Sequence, residues 1–301
     1  MRRLVLLALL VCAFVAAPAR AQWVPPTLQY QWLGDFSWPG GVATDAQGLL
    51  YFADQQTHQI KVYTRDGFVV RQWGSYGTGD GQMRYPNDVA MGPDGNLYVA
   101  DGQNHRIDVF ATDGTFLRKW GSAGTGDGQF STAVSLVVTA DGTVCVLDAT
   151  EANHRIQLFT LGGDFVRRWN VSSAPACVAL DPAGALWVPD KVSGIARKYS
   201  LLGASLQFLG TTTSLDAPTA MAVDHSGRIY VGSSNQTVLV FSPVGDPLGT
   251  IPLLENPQEL RFDADDHLVA LHGIEIRIYS TQQYPTATRS STWGAIKATY
   301  R

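Results

Sequence analysis

A fixed internal spacing constrains this chain more than any other feature. Pro39, Pro86, Pro175, Pro218 and Pro257 each open a unit, with Ala133 in the corresponding place of one more. Nine residues later comes a turn residue: Gly48, Gly95, Gly142, Gly184, Gly227 and Asp266. Six residues further on stand Asp54, Asp101, Asp148 and Asp190, replaced by Ser233 and His272 in the last two units. The same offsets hold in all six units, and a repeat of roughly 40 to 50 residues marks blades or solenoid units.

The pattern inside a unit is that of short strands. In the second unit Val89-Ala90-Met91 precedes the turn Pro93-Asp94-Gly95, and Leu97-Tyr98-Val99-Ala100-Asp101 follows it. Arg106-Ile107-Asp108-Val109-Phe110, the turn Asp113-Gly114 and Phe116-Leu117-Arg118-Lys119-Trp120 complete it. Gly beside Asp or Pro supplies the positive φ of a tight hairpin, and the apolar residues are mostly β-branched or aromatic. Four such strands cannot bury both faces alone. Neighbouring units must stack on them, and a closed ring removes the exposed ends. The expected fold is therefore all-β: a six-bladed β-propeller.

The sixth unit turns polar at Thr281-Gln282-Gln283 before a fourth strand can form. Leu28-Gln29-Tyr30-Gln31-Trp32-Leu33-Gly34 matches Phe68-Val69-Val70-Arg71-Gln72-Trp73-Gly74 of the first unit. The N-terminal strand is thus expected to close the last blade and leave no open edge.

Asn104-His105-Arg106-Ile107, Asn153-His154-Arg155-Ile156 and the weaker Thr57-His58-Gln59-Ile60 recur with the linkers Gly79-Asp80-Gly81-Gln82-Met83 and Gly126-Asp127-Gly128-Gln129-Phe130. These segments resemble the NHL repeat family. The resemblance is strongest in the first three units and implies a six-bladed propeller. Gly194-Ile195-Ala196-Arg197 keeps part of the signature, and the last two units lose it.

Met1-Arg2-Arg3, the apolar run Leu4 to Ala17 and Ala19-Arg20-Ala21 read as a secretory signal peptide over residues 1–21, giving a secreted or periplasmic protein cleaved after Ala21. Residues 22–285 form the propeller. The tail 286–301 places Trp293, Ile296 and Tyr300 on one face of a short helix, packed on the body or used for docking. No later stretch approaches the roughly 20 apolar residues of a membrane span. Removing the leader takes Arg2, Arg3 and Arg20 from 22 basic residues and leaves 26 acidic ones, a poor balance for binding nucleic acid. Cys145 and Cys177 then remain, too few for a disulfide framework.

Three groups of residues invite a chemical reading. His58, His105 and His154 hold equivalent places in successive blades, so they point in directions rotated by about 60° and lie too far apart for one zinc ion with Zn–N bonds of about 2 Å. They are expected to serve the turns between second and third strands. Asp54, Asp101, Asp148 and Asp190 are expected to accept backbone N–H groups or pair with the downstream Arg106, Arg155 and Arg197. The third group is the channel mouth. If inner strands begin just after the opening residue, Asn87, Asp88, Ser135, Thr219, Gln258 and Glu259 converge there, a candidate ligand site. No cofactor is expected; such a rim could hold calcium through its oxygens or grip a small polar ligand, and the favoured expectation is that its polar groups hydrate the channel. The Gly-rich loops Gly74 to Arg84 and Gly121 to Thr132, with Tyr76 and Tyr85, offer a partner surface.

No Gly-x-Ser-x-Gly, Walker, Cys-x-x-Cys or His-Glu-x-x-His motif occurs. The favoured expectation is a monomeric, exported, non-catalytic module recognising a protein, peptide or glycan through its loop face. The competing expectation is a metal-dependent propeller enzyme, resembling peptidyl-hydroxyglycine lyases or calcium-dependent lactonases, with its site at the channel mouth.

Overall fold

The computed structural model describes residues 23–150, 153–209 and 215–281. The segments expected to be a signal peptide, residues 1–21, and a C-terminal tail, residues 286–301, lie outside the described residues. Each of the first five sequence units becomes one four-stranded antiparallel sheet, the sixth supplies three strands of another, and the six sheets form a six-bladed β-propeller. In blade two the strands run outward from the axis in chain order: Pro86–Met91, Leu97–Asp101, Arg106–Phe110 and Phe116–Trp120. Its two middle strands are buried at every residue, whereas the outer strand alternates between half-buried and exposed. That is why Leu97–Asp101 reads as an apolar run without a period of two, whereas Arg106–Phe110 buries Arg106 and Asp108 among its apolar residues. Among the described residues no helix is long and apolar enough to cross a membrane.

The hydrophobic core is divided into six clusters, one in each gap between neighbouring blades. Val62 meets Val89 and Phe110 between blades one and two, and Tyr98 meets Phe130 and Phe159 between two and three. The gaps from three to six are filled in the same way. Phe52 and Tyr63 of blade one pack on Leu271 and Ile276 of blade six. This last cluster closes the ring.

The N-terminal strand Thr27–Leu33 pairs with Glu275–Ser280, with Trp32 opposite Ile276, and supplies the outer strand of blade six as expected. A repeated contact shows that it occupies a true outer-strand position. A Cβ at Gly114 would lie 3.0 Å from the Trp73 ring of the preceding blade, and one at Gly163 would lie 2.6 Å from Trp120. Trp32 stands in the same relation to Gly67, at 2.7 Å. These glycines have φ of +88°, +95° and +97°, so they supply both the left-handed turn and a flat seat for the neighbouring indole.

The repeated aspartates do the structural work expected of them. Asp54 accepts the N–H groups of Ser37 and Trp38 at 3.1 and 3.0 Å. Asp148 accepts those of Ser131 and Thr132 at 2.9 and 3.0 Å. Each therefore ties the incoming loop of its own blade to the end of the second strand. Arg155 extends this clamp, donating to Asp148 at 3.0 Å, to the Thr125 carbonyl at 2.6 Å and to the Gln129 carbonyl at 2.7 Å. Arg106 grips the other Gly-rich loop through the Thr78, Gly79 and Gln82 carbonyls. In blade one Lys61 replaces the arginine, 3.0 Å from Asp54.

The histidines divide. His58 and His105 sit in left-handed turns, with φ of +60° and +54°. His58 Nδ1 accepts the Tyr85 N–H, and His105 Nδ1 bonds the Ser131 carbonyl, so both reach the next blade's incoming loop. His154 departs from the expected equivalence. It lies inside the strand Asn153–Thr160, opposite Ala149, because the second and third strands of blade three are longer. Cys145 and Cys177 are both buried and unbonded.

Candidate functional site

The six expected mouth residues do converge. Asn87, Asp88, Ser135, Thr219, Gln258 and Glu259 line one axial well of about 260 Å³, on the face where the inner strands begin. Their roles within it differ. Asn87 donates to the Ala133 carbonyl at 2.8 Å and Thr219 to the Pro257 carbonyl at 2.6 Å, so each is fastened to the first position of the next inner strand. Asp88, Ser135 and Glu259 belong to a cluster that forms the floor. Gln258 lines the wall, joined by Gln55, Lys191 and Trp38 at the rim.

The floor is built around Arg261, which the sequence analysis missed. Leu260 turns into the packing with blade five, so strand alternation leaves Glu259 and Arg261 on the opposite face. Arg261 Nε is 3.1 Å from Glu259 Oε1, and its Nη2 is 3.0 Å from Asp88 Oδ2. It also donates to the carbonyls of Val42 and Leu136, so one side chain of blade six touches blades one, two and three. Asp88 is saturated. Its oxygens accept Ser135 Oγ–H at 2.8 Å, Leu136 N–H at 2.9 Å and Val89 N–H at 2.8 Å besides the guanidinium.

Arg261 also separates two spaces. Below it lies a second axial cavity, again about 260 Å³, walled by Val42, Ala43, Val89, Ala90, Val137, Ala179 and Ala222. Gly41 makes room for the cluster, since a Cβ there would come within 1.8 Å of Asp88 Oδ1. A sequence signal for Arg261 exists. Its position, four residues past the opening residue, is Ala43, Ala90, Val137, Ala179 and Ala222 in the other units. A lone arginine among small apolar residues marks the axis, but only when that position is compared across units.

Burial governs the electrostatics of the floor. It raises Glu259 above the usual carboxylate range; the Arg261 charge opposes this and the Asp88 charge adds to it. Burial alone would lower Arg261, but the Glu259 and Asp88 carboxylates hold it above its ordinary value. The Cys177 thiol, which also lines the well, is pushed up by burial and then by Glu259, so it is a poor nucleophile.

Tyr76 and Tyr85 stand outside the well lining, on the rim between blades one and two. Their rings lie 5.0 Å from the His58 ring on either side, and Arg84 lies over Tyr76. At the other end of the molecule, Asp263, Asp265 and His267 bring three possible metal-ligand atoms together. Arg65 already pairs there, 2.6 Å from Asp263 and 3.1 Å from Asp265.

Comparison with known proteins agrees with this architecture. Residues 83–110, the core of blade two, match the family described as NHL repeat. The RING finger protein nhl-1 of Caenorhabditis elegans is 40% identical over 50 residues, a stretch covering 17% of this chain and 5% of that protein. Three solved structures share the fold. A gluconolactonase from Xanthomonas campestris aligns with a TM-score of 0.65 at 18% identity, covering 85% of this chain and 95% of its own. Virginiamycin B lyase from Staphylococcus aureus gives 0.63 at 15% identity over 88% and 90% of the two chains. A streptogramin B lyase gives 0.63 at 11% identity over 87% and 99%. At these identities the likeness is one of fold.

Proposed function

We propose that this NHL-repeat propeller is an exported, non-catalytic binding module whose axial well receives a projecting group of a protein, peptide or glycan partner. The observation that carries the reading is the place of Arg261. A cation held by this rim would need Asp88 and Glu259 as its anionic ligands, and the guanidinium already lies between them. Asp88 has no oxygen left uncommitted, so this donor set does not suit calcium, which takes six to eight oxygens. What faces the well beyond that floor is a set of amides and hydroxyls with Lys191 and Trp38 at the rim, groups that orient a ligand.

A second reading has one observation in its favour. Glu259, buried at the bottom of an accessible well with its acidity weakened, has the character of a general acid or base. The three solved neighbours are a gluconolactonase and two streptogramin-type lyases, so the fold is compatible with catalysis. Against this, Arg261 holds one Glu259 oxygen, and the well offers no activated nucleophile beside it.

Replacing Arg261 separates the two. Arg261→Met removes the cation that neutralises both carboxylates, so Ca²⁺ is expected to raise the melting temperature of the variant and leave that of the parent chain unchanged. Calcium stabilisation of the parent, or lactone hydrolysis abolished by Glu259→Gln, would establish the enzymatic reading instead. Export rests on the basic, apolar and small-residue order of the first 21 residues. In a secreting bacterial host the mature protein is expected outside the cytoplasm, beginning at Gln22.

A further inference from the structure

The well has one feature that a general binding role does not require. Trp38 borders it with 59% of its surface exposed, in a fold that seats the outer-strand indoles of Trp73, Trp120 and Trp169 on the glycine turns of the next blade. Its neighbours by repeat position make the mouth lopsided. The residue just before the opening position is Trp38 in blade one and Tyr85 in blade two, then Thr132, Ala174, Ala217 and Asn256. One side of the rim is therefore aromatic, and the other is low and small.

The remaining lining is polar and short. Gln55, Asn87 and Gln258 contribute amides, Ser135 and Thr219 hydroxyls, Glu259 a carboxylate and Lys191 the one long cationic side chain, while the apolar residues are as small as Pro39, Val134 and Ala176. A drug-sized ligand fills roughly 300 to 1,000 Å³, so about 260 Å³ accommodates a single compact unit. An apolar peptide side chain would find no apolar pocket here. A pyranose ring has what this lining asks for: an apolar C–H face for an indole and a ring of hydroxyls for amides and a carboxylate.

Building on the binding reading above, we infer that the well takes the terminal sugar of a glycan, with Trp38 as its platform and the rest of the glycan leaving over the low rim of blades three to six. The full mature chain is tested on an array of defined oligosaccharides and on an array of hexapeptides, with methyl glycosides of the winning sugar titrated by calorimetry. Binding is expected to group by non-reducing terminal sugar. Trp38→Ala should weaken the methyl glycoside at least tenfold, Trp38→Phe should restore most of the affinity, and Leu202→Ala, at an exposed turn away from the well, should leave it unchanged, all with unaltered melting temperatures. Peptide binding without glycan binding would overturn the inference while leaving the binding reading in place. Binding of neither class would overturn both. Glycan binding indifferent to Trp38→Ala would refute the platform, and with it the assignment of the well.

Discussion

Blades two and three differ from blades four to six in how they hold their incoming loops. In blade three, Arg155 and Asp148 bind both backbone ends of the loop with hardly any solvent contact. In blade four Asp190 still accepts the Ala174 N–H, but its other oxygen serves Val192 and Ser193, and Arg197 lies over the Phe208 ring instead. In blade five Ser233 donates to the Asp216 carbonyl, and in blade six His272 takes the aspartate position. The difference teaches that the family signature is a loop clamp, a structural device. The axial machinery is drawn largely from positions where the repeat is broken: Arg261, Glu259 and Lys191 all come from the blades with the weaker signature.

The sharpest way to break that comparison is to remove the arginine from each kind of blade. Arg155→Ala leaves the buried Asp148 carboxylate without its cation, although the Thr125 and Gln129 carbonyls keep Arg168 and Gln157 as donors, and losing one partner of a buried pair costs about 3–5 kcal/mol. Arg197→Ala removes only a cation–π contact, worth about 0.5–1 kcal/mol. Urea denaturation of both variants measures the gap. Equal losses would mean that blade four is clamped by its arginine after all.

Blade two adds a second carboxylate to its clamp, which gives the comparison a pH dependence. Asp108 and Asp101 share Arg106, whose Nε lies 2.9 and 3.2 Å from them. Burial and then the Asp101 charge push Asp108 up to about 8, from an ordinary value of 3.8. Between those values the folded chain keeps a proton that the unfolded chain has released, so stability falls as pH rises through the window. One such proton gives a slope of at most about 1.4 kcal/mol per pH unit. Asp108→Asn is expected to flatten the fall in melting temperature between pH 5 and pH 8. Blade three carries neutral Gln157 at the matching position, so Gln157→Asp should steepen it. An unchanged profile for Asp108→Asn would place the titrating group elsewhere, with Glu259 next in line.

What could be read from the sequence follows the same division. Demands made by the backbone repeat and so were legible: the opening residue, the turn glycine, and Gly34 in step with Gly74, with Trp32 one place ahead of the position of Trp73. Those features gave the blade number and the ring closure. The mouth residues were legible because the inner strand starts at a fixed offset. Arg261 was not, since its partners come from three other blades and only the closed ring brings them together. Trp38 escaped for a different reason. It sits one residue before the compared positions, and nothing local distinguishes a platform from a packed indole.

The smallest predicted effect tests whether backbone or side chain is the part of the signature that persists. The turn between second and third strands keeps a left-handed residue in five blades, as His58, His105, Gly194, Gln236 and Gly273, with φ between +54° and +65°. His105 carries the strain of that conformation, about 1 kcal/mol for a non-glycine residue, and recovers a comparable amount from its 2.8 Å bond to the Ser131 carbonyl. His105→Gly loses both and should stay within about 0.5 kcal/mol of the parent. His105→Ala keeps the strain, loses the bond and should cost about 1 kcal/mol. Gly194→His, which adds strain in a blade with the weaker signature, should cost a similar amount. If His105→Gly were as damaging as His105→Ala, the imidazole bond would be the selected feature, and the drift to glycine in blades four and six would reflect a lost interaction and not a conserved turn.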